Sequence, residues 1–277
     1  ISSAGTVIFG GGTVVNHSGA YNVTGSTMVS GGTIIFNTPE PVTTGTLTLS
    51  GGTLAGTANV TVSGQLTWTD GTMSGTGKTI ANGGMTISGS GAKIFTGHTI
   101  DNAGVATWTG TGAAIHSNSD NSVFNNLATA TFDIQNDTTV FFSYSASTNT
   151  FNNAGLVKKS AGTGTSTFRG FTFNNTGTVE VQSGTLILIN GGYTQTAGTT
   201  TLNGGSLTSN TTLNIQGGSL SGFGTVTANV SNTGGQVSPG SPLGILTIAG
   251  TYTQSGSGSL DIELGGQVNG LEVCRRL

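Results

Sequence analysis

Short runs of alternating apolar and polar residues recur along this chain at a nearly constant spacing. Ten of these runs follow a small residue, Gly or Ala, and consecutive small residues lie 19 to 27 positions apart. The small residues are at positions 5, 25, 45, 64, 84, 104, 128, 155, 177 and 198. A second run starts about seven residues after most of these positions, and a third starts four residues before them. The pattern therefore predicts three short strands per repeat, which is typical of coils that stack on one another.

The alternation inside the first run separates an inward from an outward column, because neighbouring strand residues point to opposite faces. The position four residues after each small residue is apolar in eight of ten repeats, which predicts that it faces inward. This column reads Phe9, Val29, Leu49, Trp68, Ser88, Trp108, Phe132, Lys159, Val181 and Leu202. The preceding position is mainly polar and is predicted to face outward: Ile8, Met28, Thr48, Thr67, Ile87, Thr107, Thr131, Lys158, Glu180 and Thr201. Lys159 interrupts the inward column, and a local slip of one residue would turn it outward and Lys158 inward.

These columns predict an all-β fold, a single-stranded right-handed parallel β-helix (β-solenoid). Each coil of about 20–22 residues contains three short strands, and roughly 12 coils fill the chain. Asparagine recurs at one corner, where it tolerates a left-handed backbone and can stack its amide on the next coil. The predicted asparagine ladder consists of Asn82, Asn102, Asn126, Asn153 and Asn175.

The repeats divide the chain into a long solenoid and a short tail. We predict a continuous parallel β-helix over residues 1–266, with regular coils over 1–198, looser coils over 199–266 and a non-repeat tail over 267–277. In the looser part, Gly-Gly-Ser-Leu occurs at 204–207 and again at 217–220. This interval of 13 residues predicts that a coil is rearranged there or that one face is skipped.

Composition narrows the class of protein. Gly (49) and Thr (51) make up more than a third of the 277 residues and both disfavour helix, whereas only 17 residues are charged. The net charge of −3 gives neither the basic surface of a nucleic-acid-binding protein nor a polybasic membrane patch. We therefore expect no nucleic-acid partner. No apolar run approaches the ~20 residues of a membrane helix, so we also expect no membrane insertion. A single cysteine, Cys274, excludes a disulfide framework within the chain.

Several strings resemble the β-helical repeat regions of large secreted bacterial proteins, such as autotransporter passenger domains and filamentous-haemagglutinin-like adhesins. They are Leu-Ser-Gly-Gly-Thr-Leu (49–54), Gly-Thr-Met-Ser-Gly-Thr-Gly (71–77), Phe-Asn-Asn-Ala-Gly (151–155), Phe-Asn-Asn-Thr-Gly-Thr-Val-Glu-Val-Gln-Ser-Gly-Thr-Leu (173–186) and Val-Ser-Pro-Gly-Ser-Pro-Leu-Gly-Ile-Leu-Thr-Ile (237–248). The resemblance covers nearly the whole chain up to Gly266. It implies a non-enzymatic structural or adhesive rod of a bacterial surface or secreted protein, located outside the cell.

The sequence provides no catalytic, cofactor-binding or metal-binding residues, and we expect neither an enzyme nor a cofactor. A polysaccharide-degrading β-helix needs clustered carboxylates for calcium or for acid–base chemistry. Here the acidic residues are spread over different coils and faces, and Asp133 and Asp137 are the one close pair in the regular coils over 1–198. A polysaccharide-binding or polysaccharide-degrading β-helix is an alternative function.

Longer repeats between Gly104 and Gly155 predict an insertion near residues 137–150, and loops that leave a rigid scaffold often carry recognition. The candidate ligand patch combines aromatic and charged residues: Asp133, Asp137, Phe141, Phe142, Tyr144, Lys158, Arg169 and Glu180. Its candidate partners are a glycan or protein surface of a host or of the environment. The alternative is that the aromatic side chains pack over an enlarged core. End-to-end self-association is a further possibility, because solenoid ends carry unpaired strand edges.

Threonines at strand spacing suggest a different function. The pairs are Thr46 and Thr48, Thr67 and Thr69, Thr107 and Thr109, and Thr129 and Thr131. Flat ice-binding solenoids present hydroxyl pairs in this way, although threonine is also a good strand former. Ice binding through Thr-x-Thr faces is thus a second alternative.

Overall fold

The computed structural model describes residues 1–112, 114–118, 121–143, 149–240, 244–268 and 271–276, and these residues contain strands without helix. In chain order the strands are β1 (Ser2–Ser3), β2 (Thr6–Phe9), β3 (Val14–His17), β4 (Tyr21–Val29), β5 (Thr33–Phe36), β6 (Val42–Gly56), β7 (Val60–Val62), β8 (Leu66–Ser74), β9 (Lys78–Ala81), β10 (Met85–Ile87), β11 (Lys93–Thr96), β12 (Thr99–Asn102), β13 (Val105–Trp108), β14 (Ile115–Ser117), β15 (Val123–Asn126), β16 (Thr131–Ile134), β17 (Thr139–Ser143), β18 (Thr150–Asn153), β19 (Leu156–Lys159), β20 (Thr165–Arg169), β21 (Thr172–Asn175), β22 (Thr178–Val181), β23 (Thr185–Ile189), β24 (Tyr193–Gln195), β25 (Thr199–Ser209), β26 (Leu213–Ile215), β27 (Ser219–Thr227), β28 (Val230–Asn232), β29 (Gln236–Pro239), β30 (Leu246–Ile248), β31 (Tyr252–Gln254), β32 (Ser259–Leu260), β33 (Glu263–Val268) and β34 (Leu271–Arg276). The described part of the chain contains no helix of the length and hydrophobicity that a membrane span requires.

Strands β1 to β32 form a parallel β-solenoid of about 12 turns, as the repeat pattern predicts. Each strand pairs in parallel with the equivalent strand one coil earlier and one coil later. Sheet 1 contains β2, β4, β6, β8, β10, β13, β16, β19, β22, β25, β27, β29 and β32. Sheet 2 contains β3, β5, β6, β8, β11, β14, β17, β20, β23, β25, β27 and β30. Sheet 3 contains β1, β4, β6, β7, β9, β12, β15, β18, β21, β24, β26, β28 and β31. Long strands such as β6 bend through the corners and therefore belong to more than one sheet.

Sheet 1 follows the predicted alternation in most coils, with two local exceptions. Ile87, and not Ser88, aligns with Trp68 and is buried, because Gly83, and not Gly84, is the small residue that packs on Gly64. Ile134, and not Phe132, aligns with Trp108, because the corner before β16 is two residues longer and places Thr129 at a φ of 70°. The outward column consequently contains Thr86 and Asp133 at these coils, in place of Ile87 and Thr131.

The small residues that start each repeat lie at the corner between sheets 3 and 1. A Cβ atom on Gly25 would overlap the backbone carbonyl oxygen of Gly5, and one on Gly198 would overlap that of Gly177. Consecutive coils therefore approach one another too closely at this corner for a side chain. Steric exclusion explains why the spacing of Gly and Ala marks the repeat so clearly in the sequence.

Asparagine amides form an inner ladder along sheet 3, running from Asn102 to Gln195. The Nδ2 atom of Asn102 donates to Oδ1 of Asn126 at 2.9 Å, and Asn126 and Asn153 donate to the next residue of the ladder at 2.8 Å each. Asn175 then donates to Oε1 of Gln195 at 3.2 Å. These side chains are fully or almost fully buried, so the ladder satisfies polar groups that would otherwise be costly inside the solenoid.

Asn82 does not belong to the inner ladder, which corrects one member of the predicted set. Ala81 is the residue that aligns with Asn102, and Asn82 lies one position later with an exposed side chain. The two adjacent glycines cause this difference, because Gly83, and not Gly84, packs on Gly64, so the position two residues before the small residue is Ala81.

The coils after residue 198 keep three strands each, contrary to the predicted rearrangement or skipped face. The two Gly-Gly-Ser-Leu strings occupy different sheets: Leu207 aligns with Leu186 in sheet 2, whereas Leu220 aligns with Thr200 in sheet 1. Coil length does vary here, since Ser219 aligns with Gln236 and Gln236 aligns with Ser259. A coil of 17 residues is thus followed by one of 23.

The solenoid ends earlier than predicted. Its last strand is β32, and β33 pairs with β34 as a separate antiparallel sheet. Residues 263–266, which we assigned to the β-helix, therefore lie in this antiparallel pair together with most of the predicted tail.

Candidate functional site

The fold separates the described residues of the predicted ligand patch into four places. Asp133, Lys158 and Glu180 point outward from sheet 1, whereas Phe142 and Arg169 lie on sheet 2. Asp137 contacts Lys159 in the turn that precedes β17. Phe141 is inside the core, and Tyr144 lies outside the described residues. The seven residues of the patch that the structure describes therefore do not share one surface.

Phe141 is the centre of an aromatic core, so the prediction of an exposed side chain is wrong. Its ring is fully buried and lies 5.4 Å from Phe124, 5.3 Å from Phe151 and 5.1 Å from Phe168 between ring centroids. Residues 139–143 are strand β17 of sheet 2 and do not form a loop. The longer repeats therefore accommodate bulky rings, which agrees with the alternative of an enlarged core for this residue.

The charged row of sheet 1 is largely neutralised within itself. Lys158 Nζ lies 3.3 Å from Asp133 Oδ2, and the carboxylate of Asp133 also accepts hydrogen bonds from Gln135 and Ser160. Glu180 follows Lys158 in the same outward column and accepts a hydrogen bond from Asn203. Adjacent opposite charges on neighbouring parallel strands stabilise the sheet surface and leave little unpaired charge for a ligand.

Lys159 is fully buried, as its place in the inward column predicts, so the alternative one-residue slip does not occur. Its Nζ atom donates to the backbone oxygens of Asn136 and Ala161 at 3.0 Å each, to Asp137 Oδ1 at 2.8 Å and to Ser166 Oγ at 3.0 Å. Hydrogen bonds from Lys159 Nζ and from the Gly164 backbone lower the pKa of the Asp137 carboxyl. This lysine crosslinks the corner between sheets 1 and 2.

A second buried lysine, Lys93, lies at the corresponding corner of an earlier coil and was not singled out from the sequence. Its Nζ atom donates to the backbone oxygens of Gly89 at 3.3 Å and Gly91 at 2.8 Å, and lies 5.5 Å from the ring centroid of Trp108. Burial lowers the pKa of Lys93, an effect that the nearby charge of Asp70 partly offsets. Both buried lysines therefore act as structural donors.

Sheet 2 carries the most distinctive surface row: His116 on β14, Phe142 on β17 and Arg169 on β20 occupy one outward column. The Arg169 guanidinium lies 5.1 Å from the centroid of the Phe142 ring. On the other neighbouring strand, β14, the centroid of the His116 ring lies 5.6 Å from that of Phe142. Burial lowers the pKa of His116, which favours the neutral imidazole. The sequence predicted Phe142 and Arg169 as surface residues but missed His116, because only the register places it beside them.

An open depression adjoins this row. It has a volume of about 340 Å³ and is lined by Gly112, Ala114, His116, Thr139 and Phe142. Because two aromatic rings, a hydroxyl and small residues converge there, the depression can hold a small group that combines apolar and polar surfaces.

An outer ladder on sheet 3 was also missed by sequence reasoning. Asn125 donates to Asp101 at 2.6 Å, Asn152 donates to Asn125 at 2.9 Å, and Asn174 donates to Asn152 at 2.9 Å. Lys78 Nζ lies 3.4 Å from Asp101 at the start of this ladder. The repeated Phe-Asn-Asn string contains the necessary signal, since its two asparagines must point to opposite faces of a strand.

The described residues include no group of three or more His, Cys, Asp or Glu side chains placed to hold a metal ion. His98 is buried at the corner between sheets 2 and 3, with Thr79 Oγ1 at 2.9 Å from Nε2 and Gly75 O at 3.2 Å from Nδ1. Burial lowers its pKa to about 4, although the hydrogen bond to Gly75 and the charge of Asp101 act in the opposite direction. His98 is therefore a neutral, structurally hydrogen-bonded residue near pH 7.

The chain was compared with protein-family models, with curated proteins and with solved structures, and no match was found in any of them.

Proposed function

We propose that this chain is a structural and adhesive rod segment of a secreted or surface-exposed bacterial protein, without enzymatic activity. The observation that carries the proposal is the unbroken parallel pairing of β1 to β32. About 12 turns at ~4.8 Å per coil give a rod roughly 60 Å long. Such a rod can hold a surface row at a defined distance from an attachment point.

The distribution of charge supports the same proposal. Three ion pairs involve Lys78, Lys158 and Lys159 among the described residues, so much of the small number of charges is compensated locally. Stability therefore depends mainly on coil stacking and burial. The resemblance of the repeats to secreted bacterial β-helices supports the extracellular bacterial setting.

Surface display provides the test. The chain would be anchored on bacterial cells, and attachment to glycan-coated and protein-coated surfaces would be counted alongside cleavage by an added protease. A flexible linker of the same number of residues is the control. We expect attachment above this control and much slower cleavage. Attachment no better than the linker contradicts the adhesive role, and equally rapid cleavage contradicts the rod role.

A polysaccharide-active β-helix is tested directly by incubating the purified chain with polygalacturonate and alginate. The proposal of a non-enzymatic rod predicts that the polysaccharides keep their length and that no unsaturated sugar product is formed. Release of oligosaccharides at a rate that increases in proportion to the protein concentration would contradict our proposal and indicate an enzyme.

Ice binding is the second candidate, and one observation favours it. Thr48, Thr67, Thr86 and Thr107 align in a single outward column over four consecutive coils of sheet 1. Their spacing of ~4.8 Å makes a regular row of hydroxyl groups. Thermal hysteresis that disappears in Thr67→Lys, but persists in the sheet 2 control Thr227→Lys, would establish this function in place of adhesion. Absence of thermal hysteresis in the unmodified chain would contradict ice binding.

A further inference from the structure

The surface row His116–Phe142–Arg169 contains a positive charge, on Arg169, that no carboxylate among the described residues pairs with. Arg169 is exposed, and none of the ion pairs between described residues includes it. The carboxylates of Asp133 and Asp137 lie elsewhere, on sheet 1 and in the turn before β17, and are bound by Lys158 and Lys159. In a chain with so few charges, a guanidinium that has no carboxylate partner among the described residues, and that packs on a ring lining an open depression, is well placed to attract an anionic group.

The orientation of Arg169 is set by the aromatic ring next to it. A guanidinium 5.1 Å from the centroid of Phe142 interacts favourably with the ring while its outer N–H groups remain available. A planar fork of N–H donors matches a carboxylate, to which it can donate two parallel hydrogen bonds. The ring therefore orients the guanidinium before a ligand arrives, which reduces the entropic cost of binding.

The depression lined by His116 and Phe142 suits a small amphipathic ring. Its volume of about 340 Å³ is near the lower end of the ~300–1,000 Å³ range of small-ligand sites. His116 and Phe142 provide aromatic surface against which weakly positive C–H groups pack, and Thr139 provides a hydroxyl. A pyranose has both features, with a C–H-rich face and a hydroxyl-bearing edge.

We propose that the row His116–Phe142–Arg169 and the adjoining depression bind a carboxylated saccharide residue. The sugar ring packs against His116 and Phe142, and its carboxylate accepts hydrogen bonds from Arg169. The inference rests on the proposed adhesive function, for which it supplies the ligand class.

The test uses the purified full chain and defined acidic trisaccharides. Binding of tri-galacturonate and tri-mannuronate would be measured by isothermal titration calorimetry, with the methyl esters of the same sugars as uncharged controls. We expect at least one acid to bind and its ester to bind on the order of tenfold more weakly, because esterification removes the charge-assisted hydrogen bonds.

Two variants locate the site. Arg169→Met keeps an apolar contact with Phe142 but removes the guanidinium, and Phe142→Leu keeps apolar volume but removes the ring. We expect each to weaken binding of the acid by about tenfold or more. The matched controls are Lys78→Met on sheet 3 and Phe223→Leu, whose side chain is 48% exposed elsewhere on the rod, and both should bind normally.

Far-ultraviolet circular dichroism and melting temperature would show that each variant is folded. No binding of either acid by the unmodified chain overturns the saccharide site, as does binding that is unchanged in both site variants or equal for acid and ester. The display experiment fails or succeeds independently, because attachment to a protein-coated surface needs no acidic sugar.

Discussion

Lys158 and Lys159 are neighbours in sequence but have opposite environments. The side chain of Lys158 lies on the surface of sheet 1 beside Asp133, whereas that of Lys159 is fully buried, with four oxygen acceptors within 3.0 Å of its Nζ atom. The strand alternation alone produces this contrast. The two residues therefore form a natural pair for separating the effect of a surface charge from that of a buried one.

We expect Lys159→Ala to lower the free energy of unfolding by about 3 kcal/mol, because it leaves buried acceptors without a donor. Lys158→Ala should cost no more than about 1 kcal/mol, since its ion pair is partly exposed. Equilibrium denaturation in urea measures both. Equal effects of the two substitutions would show that the buried hydrogen bonds do not stabilise the corner.

His98 gives the solenoid a pH-dependent stability. The folded pKa of about 4 lies below the unfolded value of 6.5, so the unfolded chain binds a proton first as the pH falls. The contribution of His98 is fully present above pH 6.5 and declines towards pH 4, by about 3 kcal/mol in total. We expect the melting temperature of the unmodified chain to fall over this interval.

The control for this prediction is His98→Gln, which retains hydrogen-bonding groups near Thr79 and Gly75 but does not titrate. Its melting temperature should change less between pH 6.5 and pH 4 than that of the unmodified chain. A parallel decline in both proteins would assign the pH dependence to other groups.

At the scale of secondary-structure elements, the inner ladder begins with an unsatisfied atom. The Oδ1 atom of Asn102 is buried and has no hydrogen-bond partner, whereas the equivalent oxygens of Asn126, Asn153 and Asn175 each accept from the preceding amide. The residue aligned with Asn102 in the preceding coil is Ala81, which cannot donate from its side chain.

We therefore expect Ala81→Asn to extend the inner ladder by one coil and to raise the free energy of unfolding by about 1 kcal/mol. Ala81→Leu is the control, since it adds comparable bulk without a donor and should not stabilise. Thermal denaturation of the two variants provides the measurement. Stabilisation by leucine but not by asparagine would mean that filled volume, and not the missing donor, limits this coil.

The sequence predicts the strands well because steric exclusion at Gly25 and equivalent corners repeats with the coil. It predicts the register less well wherever a corner gains or loses a residue. Phe132 was misplaced for this reason, whereas Ser88 and Asn82 were misplaced because Gly83, and not the adjacent Gly84, is the residue equivalent to Gly64. Phe141 was misplaced because an aromatic residue in a long repeat fits either a loop or a widened core, and only the packing of neighbouring rings distinguishes them.

At the scale of the whole molecule, each coil contacts chiefly the coil before it and the coil after it. Leu47 aligns with Leu66, so residues 47–65 constitute one complete coil. Their removal brings Leu66 into the position of Leu47 and restores all three sheets. A deletion that ends at residue 56 instead removes strands from sheets 1 and 2 but leaves the strand of sheet 3.

We expect the chain lacking residues 47–65 to fold with a cooperative thermal transition, and the chain lacking residues 47–56 to lose that transition. The reason is that nearest-neighbour stacking tolerates the loss of a whole coil, whereas the loss of part of a coil leaves strands of one sheet without equivalent strands in the other two. Circular dichroism during heating measures both. Similar transitions in the two deletions would contradict the three-sheet repeat as the unit of stability.

The alignment of Thr6 with Ser26 and of Ser26 with Thr46 has a kinetic consequence. Partners one coil apart in a chain of 277 residues correspond to a relative contact order of about 0.07, a value usual for helical bundles and low for an all-β protein. Ordering a new coil therefore requires closure of only a short loop onto an existing template. We expect the chain to fold progressively from one end, in step with its emergence from a ribosome or a secretion pore.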